Sequence, residues 1–429
     1  MVTKRYHEIR DAIHGFVRLD SDERRVLDSP PIQRLRNIHQ LAMSYLVYPG
    51  ATHKRFEHSL GVMELAGRVF DVVTIQDIHE AVVNVIRNVP GGMDYWRRVV
   101  RMAALCHDIG HPPFSHAAEK ELLPEGKSHE SMTVALILSD SMAEVWDSMR
   151  PGLKPIDIAK VSVGQDKLRD EEFTDWENLL SEIIASGALG VDRMDYLLRD
   201  SLHAGVAYGR FDHYRLIDTM RILPAGENSD EPTLGIESGG IHSTEALLLA
   251  RYFMFMQVYE HPVRIAYDIH LAEFLGEWLP SGQFPLNEEE FLKLNDNKVL
   301  EAIAESARNP GCQGQEHAAR IIERNHFKRV YSPTLADKRD HGSPVEAVAR
   351  ACAGRYGETN VRRREARPPD EEQQQFPVLC PDGTVESSHA LSAPLSNIPA
   401  VDAEYVLIAP EYAEEASKWI RSEKDSILA

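Results

Sequence analysis

The sequence predicts a mainly α-helical core over residues 1–280 that carries a small α+β lobe over residues 281–429. Two observations predict the core. Apolar residues recur at helical spacing through most of the first 280 positions, and few segments there alternate with period two. A third observation predicts the lobe: in the last third, short β-type runs alternate with a charged connector rich in Pro and Gln.

Taken in order, residues 58–73 place Leu65, Val69, Val72 and Val73 on one helical face, and residues 95–107 do the same with Val99, Met102, Ala103 and Cys106. Further helices are expected over 129–148, 154–161, 176–186, 192–203, 211–222 and 243–280. Pro90-Gly91-Gly92, Pro112-Pro113 and Pro124-Glu125-Gly126 punctuate them. In the lobe, Phe327 to Tyr331 reads as a strand and Arg362 to Gln375 as a connector. Phe376 to Leu379 and Ala403 to Ala409 read as strands, and Pro410 to Ser422 as a short helix. No internal repeat is evident.

Composition narrows the function classes. The chain has 47 basic and 67 acidic side chains, and 47 − 67 gives a net charge of −20. That balance argues against broad nucleic-acid binding, which needs a basic surface, and is compatible with a local basic pocket for a phosphorylated small molecule. Cys106, Cys312, Cys352 and Cys380 are scattered without a CxxC, so neither a disulfide framework nor a structural zinc module is expected. The first residues lack the apolar stretch of a signal peptide, and no run approaches a membrane span. A reduced, cytoplasmic protein without membrane attachment is the expectation.

Histidines concentrate the chemistry. Ten of the 19 lie in the first 129 residues, and Cys106-His107-Asp108-Ile109-Gly110-His111-Pro112-Pro113-Phe114-Ser115-His116 sets an adjacent His-Asp pair at the end of an apolar helix. Imidazole plus carboxylate suits a divalent transition metal with open positions. His58, in Arg55-Phe56-Glu57-His58, and Asp192, in Asp192-Arg193-Met194-Asp195, are candidates to complete the set, although an Asp opening a helix also serves as an N-cap. A P-loop and a GxSxG elbow are both missing, and Cys106 reads as core.

The order His58, His107-Asp108, Asp192 resembles the HD superfamily of metal-dependent phosphohydrolases. Gln33-Arg34-Leu35-Arg36, Gln40-Leu41, Tyr48-Pro49-Gly50-Ala51-Thr52-His53 and Arg55-Phe56-Glu57-His58-Ser59-Leu60-Gly61-Val62 narrow the resemblance to the deoxynucleoside triphosphate (dNTP) triphosphohydrolases. That group includes bacterial dGTPase-like enzymes and the vertebrate dNTPase with a sterile-alpha-motif domain. The match covers about residues 5–280 and, more thinly, 324–331; the sterile-alpha-motif domain is expected to be absent.

The resemblance implies an HD-domain helical core hydrolysing dNTPs to deoxynucleoside and inorganic triphosphate. His58, His107, Asp108 and Asp192 match its four metal ligands, for Mn, Fe, Zn or Ni, with Mg accompanying the triphosphate. His111, His116 and His129 match its catalytic and phosphate-contacting histidines, with His116 as the acid oriented by Glu119 or Glu130. Gln40, Leu41, Arg55, Arg193, Tyr196 and Asp200 match triphosphate and sugar positions, and Tyr259 and His261 are candidates for the same pocket. Asp28, Gln33 and Arg36, with Arg324 and Lys328 from the lobe, match an allosteric nucleotide site. The implied partners are the dNTP substrate, an activating GTP or dNTP, and further copies of the chain in a dimer or tetramer. The His-Asp motif alone equally suits a phosphodiesterase or hydrolase of a signalling or modified nucleotide, and a non-catalytic nucleotide sensor is the third reading.

Overall fold

The computed structural model describes residues 6–75, 79–87, 89–226, 229–365 and 375–429. At its centre lies the 21-residue helix Arg55–Ile75, buried on nearly every side. Its glycines let neighbours approach: a Cβ on Gly61 would meet Asp195 Oδ1 at 1.9 Å, and one on Gly67 would meet Arg101 Nη1 at 2.9 Å. Helix Met93–Cys106 packs against it with Val99, Val100, Met102 and Ala103 fully buried, each contributing on the order of 1–3 kcal/mol by leaving water. Helix Val191–Ala204 covers another side and ends at Gly205, whose φ of +72° suits a left-handed cap. Helix Asp175–Ala185 opens on a capping box between Thr174 and Glu177.

The expected helices over 58–73, 95–107, 154–161, 176–186 and 192–203 are present as Arg55–Ile75, Met93–Cys106, Pro155–Val163, Asp175–Ala185 and Val191–Ala204. Three expectations need correction. The stretch 129–148 is two helices, His129–Ile137 and Asp140–Ser148, because Ser139 caps the second. The stretch 211–222 is helix only over His213–Asp218. It then enters strand β3 (Met220–Pro224), which pairs antiparallel with β4 (Pro232–Glu237) and is buried throughout. The stretch 243–280 breaks at Glu260–His261, where a wide π turn over Phe255–Tyr259 separates Ile241–Met254 from Pro262–Trp278. Pro262 cannot continue the preceding hydrogen-bond ladder but starts a new helix without strain.

Two features went unread in the sequence. An N-terminal hairpin joins β1 (His7–Asp11) to β2 (Gly15–Leu19). Helices Pro262–Trp278, Asp296–Arg308 and Gln315–Ile322 pack as a second core with Met43, Phe114 and Leu122. Leu275, Leu279, Phe284 and Leu294 share that core, so packing runs uninterrupted across residue 280.

The α+β lobe is a three-stranded sheet of β5 (Lys328–Tyr331), β9 (Glu404–Ile408) and β6 (Val361–Glu365), with β9 central. Helices Pro344–Tyr356 and Ala413–Leu428 cover it. The last helix therefore runs beyond the expected Ser422. The expected connector Arg362 to Gln375 begins as strand β6, and its residues 366–374 lie outside the described residues. The strand expected over 376–379, β7 (Pro377–Leu379), leaves the lobe and pairs parallel with β4, followed by β8 (Val385–Ser387). Among the described residues no helix is long and apolar enough to cross a membrane.

Candidate active site

His58 projects from the central helix, His107 and Asp108 leave the end of Met93–Cys106, and Asp192 stands in the first turn of Val191–Ala204. Gly190, not Asp192, is the N-cap there, which frees the Asp192 carboxylate for another role. The four side chains converge. Asp192 Oδ1 lies 3.0 Å from His58 Nε2 and 3.6 Å from His107 Nε2. Asp108 oxygens lie 3.3 Å from His107 Nε2 and 3.7 Å from His58 Nε2.

The donor set fits a metal. Ligands about 2.0–2.2 Å from one ion stand roughly 3–3.6 Å apart in tetrahedral or octahedral shells. His58 Nε2 and His107 Nε2 are buried and have no hydrogen-bond partner. Their other nitrogens are engaged: His58 Nδ1 bonds Asp195 Oδ2 at 2.8 Å, and His107 Nδ1 bonds the Ala104 carbonyl at 2.8 Å. Such outer contacts select the tautomer that turns the Nε2 lone pair inward. Burial opposes the charged form of His58, but the carboxylates of Asp192 and Asp195 outweigh it and push its pKa up to about 10. A site that attracts a proton this strongly when empty of metal has the charge to attract a cation.

Asp195 was missed by sequence reasoning. It accepts from Arg199 Nε at 2.8 Å and lies 2.6 Å from His14 Nε2, while Arg199 also bonds Asp11. The N-terminal hairpin is thereby tied to a metal ligand through buried polar contacts. The spacing of Asp192, Asp195 and Arg199 on one helical face carried the signal; nothing marked His14 or Asp11. Asp195→Asn is expected to weaken metal affinity by about 10–100-fold with the fold retained, as read by metal titration and thermal melting. Unchanged affinity would remove Asp195 from this role.

Beside this centre, three histidines meet. The rings of His111 and His129 stack at 3.9 Å, and His116 stands edge-on to both at 4.7 and 5.2 Å. Glu119 grips two of them: Oε2 bonds His116 Nδ1 at 2.9 Å, and Oε1 bonds His129 Nδ1 at 2.6 Å and its backbone N–H at 2.8 Å. Desolvation raises the Glu119 carboxyl, but these hydrogen bonds hold it far below the usual carboxylate range. Glu130 has a different partner, Lys167, at 2.7 Å, and lies 3.4 Å from His129. Of the two orienting acids expected for His116, the structure therefore supplies Glu119.

The loop between the histidines holds an unusual backbone. Phe114 and Ser115 take φ of +57° and +56°, which costs non-glycine residues about 1–3 kcal/mol each. Asp296 offsets this by accepting from the Phe114 N–H at 2.8 Å, and it also accepts from the His39 N–H at 2.7 Å. A buried carboxylate 182 residues downstream thus clamps the loop that carries the candidate histidines, and sequence pattern gave no hint of it.

His107, Asp108, Asp192 and the three histidines line one cavity of about 1290 Å³ with Gln40, Leu41, Tyr196, Asp200 and Tyr259. Asp200 accepts from His53 Nε2 at 2.7 Å and from the Tyr259 hydroxyl at 2.8 Å, so the π turn delivers Tyr259 to the carboxylate. Gln40 Oε1 is buried without a partner. Arg55 lines the cavity but spends its guanidinium on Asp108 and Ser115. Arg193 keeps Nε and Nη1 buried and unpartnered, and so does Arg251 with Nε. The charge of Arg193 helps to lower the pKa of the desolvated Arg251. Neither arginine is among the residues that line the cavity, and Arg251 was not among the expected residues.

His261 does not reach this cavity. It caps helix Pro262–Trp278 and lines a separate space of about 340 Å³ with His326, Phe327, Lys328 and Arg329. Among the other residues expected at an allosteric site, Asp28 pairs with Arg24, and Gln33 bonds the Leu27 carbonyl and Arg36. Arg36 lies 3.5 Å over the Phe56 ring, and Arg324 donates to the Leu46 carbonyl. Among the described residues no hydrogen bond or ion pair joins Asp28, Gln33 and Arg36 to Arg324 and Lys328.

Comparison with known proteins agrees with the geometry. The HD domain family model matches residues 55–200, and the HD associated region model matches 211–355. The chain is 38% identical over 259 residues to an uncharacterized protein of Methanocaldococcus jannaschii, covering 60% of this chain and 47% of that one. It is 30% identical over 355 residues to deoxynucleoside triphosphate triphosphohydrolase SAMHD1 of Gallus gallus, covering 74% of this chain and 55% of that one. The chain thus spans about half the length of these curated relatives. Among solved structures, a hypothetical protein from Aquifex aeolicus matches with TM-score 0.77 at 32% identity, over 96% of this chain and 99% of that one. A phosphohydrolase from Bacteroides thetaiotaomicron matches with TM-score 0.69 at 25% identity, over 94% of this chain and 100% of that one.

Proposed function

The chain belongs to the HD superfamily of phosphohydrolases, and we propose that it hydrolyses deoxynucleoside triphosphates to deoxynucleoside and inorganic triphosphate. The observation that carries this reading is that His107, Asp108 and Asp192 of the His-His-Asp-Asp cluster open into one cavity with the histidine triad anchored by Glu119 and with the polar residues Gln40, Tyr196 and Asp200. The similarity to SAMHD1, whose name states that activity, supports the substrate class.

His58, His107, Asp108 and Asp192 would hold a divalent ion such as Mn, Fe, Zn or Ni. When bound, such an ion would supply positive charge to a phosphate ester and activate water at neutral pH. The chain's own residues do the rest. His111 and His129 hold the α-phosphate. His116 gives a proton from Nε2 to the leaving 5′-oxygen, while Nδ1 stays bonded to Glu119. Desolvation by the surrounding protein, with the charges of His129 and Arg55, lowers the His116 pKa despite that bond although the ring is open to the cavity, and a bound triphosphate works in the opposite sense, favouring the protonated acid. Asp200 and Tyr259 face the sugar, and Gln40 and Leu41 border its 2′ side, where a hydroxyl would be crowded.

The test is a panel of dNTPs and ribonucleotides with Mn²⁺ or Mg²⁺. Turnover of deoxy substrates alone is expected; equal turnover of ribonucleotides would refute the sugar assignment.

The same reading includes nucleotide activation of an oligomer. Asp28 and Arg36 are exposed and Gln33 half-buried, and His261 joins Lys328 in the smaller cavity; on this reading the two halves of a site would meet between copies of the chain. Asp28→Ala is expected to abolish activation by GTP or dNTP without loss of metal, read by turnover and light scattering. Unchanged nucleotide dependence would end this part of the proposal.

A further inference from the structure

The turn around helix Pro30–Arg34 buries Ile32, Arg34 and Leu35 and leaves Asp28, Pro30 and Arg36 exposed. An arginine at an inward position breaks the apolar pattern. Arg34 is only 6% exposed, and its guanidinium lies 4.6 Å over the Phe291 ring. Burial lowers its pKa to about 10 against the opposing charge of Asp296, so it is charged at neutral pH. An apolar side chain would fill this place without desolvating a charge. What the guanidinium adds is two directed bonds: Nε donates to the Leu294 carbonyl and Nη1 to the His111 carbonyl, both at 2.8 Å.

Both carbonyls belong to the frame of the histidine loop. From His111 to Phe114 the chain runs His-Pro-Pro-Phe, and the two prolines have no N–H with which to anchor it. The His111 N–H turns back to the Asp108 carbonyl at 3.1 Å, and the Phe114 N–H is taken by Asp296. Arg34 supplies the bond that ties the His111 backbone to a distant segment. The downstream anchor is tied to the same side chain, because Leu294 stands two residues before Asp296. Arg34 thus braces both ends of a loop whose Phe114 and Ser115 sit at positive φ. Strained backbone of this kind persists only where its surroundings over-determine it. The His111 ring stacks on His129 and places Nε2 3.3 Å from Asp108 Oδ1. A shift of its main chain therefore moves the junction of the metal cluster with the triad.

We propose that Arg34 is a positioning residue: it holds the His111 carbonyl so that the imidazole meets the α-phosphate beside His129. This role rests on the reading of the cavity as a dNTP site. Misplacing a reacting group by about 1 Å costs on the order of 10²-fold in rate. His111 acts on charge that develops in the transition state, so the loss falls on kcat and leaves KM in place.

Two variants isolate the role. Arg34→Met keeps the bulk and removes the donors, and Arg34→Lys keeps a charge and donors without the planar fork. Each is compared with the unaltered protein for kcat and KM with a dNTP, Mn²⁺ and GTP, with metal content and melting recorded. The expected result is a kcat at least tenfold lower in Arg34→Met, with KM within threefold and metal unchanged, and at least a threefold recovery of kcat in Arg34→Lys. A smaller loss of kcat, a KM that rises as kcat falls, a loss of metal, or a lysine variant no better than the methionine one overturns the proposal. If Arg34→Met fails to fold, Arg34→Lys is read alone: at least a threefold loss of kcat at constant KM upholds the role, and a smaller one overturns it. Absence of dNTP turnover in the unaltered protein would refute the proposed reaction instead. The brace is then judged by amide hydrogen exchange. At least tenfold faster exchange at Phe114 and Ser115 in the variant that folds, with helix Arg55–Ile75 unmoved, upholds it, and unchanged exchange overturns it.

Discussion

Replacing Asp192 with alanine is expected to abolish hydrolysis and strip metal from the protein. The carboxylate lies 3.0 Å from one ligand nitrogen and 3.6 Å from another, so it closes the coordination set from the third helix. A catalytic ion contributes several kcal/mol of charge stabilisation, and about 4 kcal/mol corresponds to roughly 10³-fold in rate. Alanine also removes one of the carboxylates whose negative charge would attract a cation to His58 and His107. Elemental analysis and turnover check both outcomes together. A metal-depleted Asp192→Ala protein with full activity would separate the reaction from this centre.

Glu119→Gln is expected to lower kcat by about 10²–10³-fold while metal content stays constant, because general acid catalysis contributes in that range. Glutamine keeps one acceptor oxygen where the carboxylate uses two, so His116 and His129 cannot both be held. The sign of the pH effect follows from the same contacts. The Glu119 bond raises the pKa of His116 against the lowering effects of desolvation and of the His129 and Arg55 charges; its loss lowers that pKa further. An acid that must be protonated then fails at a lower pH, and the alkaline limb of the rate profile moves down. A profile that stays in place would show that His116 is not the acid.

Much of the helical core was legible because its period is strong and its ends are punctuated. The helix ending at Cys106 and the one opening near Asp192 could be placed, and with them the candidate metal ligands that the fold brings together, because adjacent His-Asp at a helix end is an unusual signal. What escaped depends on distant contacts. Strand β3 is short and apolar, which pattern cannot tell from a helix, and only its pairing with β4 decides the matter. Strand β7 joins the core sheet through two parallel positions far from its neighbours in sequence. Asp296 and His14 act on the site through folded geometry, and a lone buried carboxylate such as Asp296 has no sequence signature. His261 was placed in the substrate pocket by its nearness to Tyr259, but the π turn and Pro262 send the two residues to different cavities.

The most direct measurement is the identity of the phosphorus product. Purified protein with Mn²⁺ is given a dNTP and GTP, and the mixture is followed by phosphorus NMR with chromatography of the nucleoside. Protonation of the 5′-oxygen by His116 during attack at the α-phosphorus predicts intact triphosphate and free deoxynucleoside in equal amounts. Pyrophosphate with a deoxynucleoside monophosphate, or orthophosphate with a diphosphate, would contradict it.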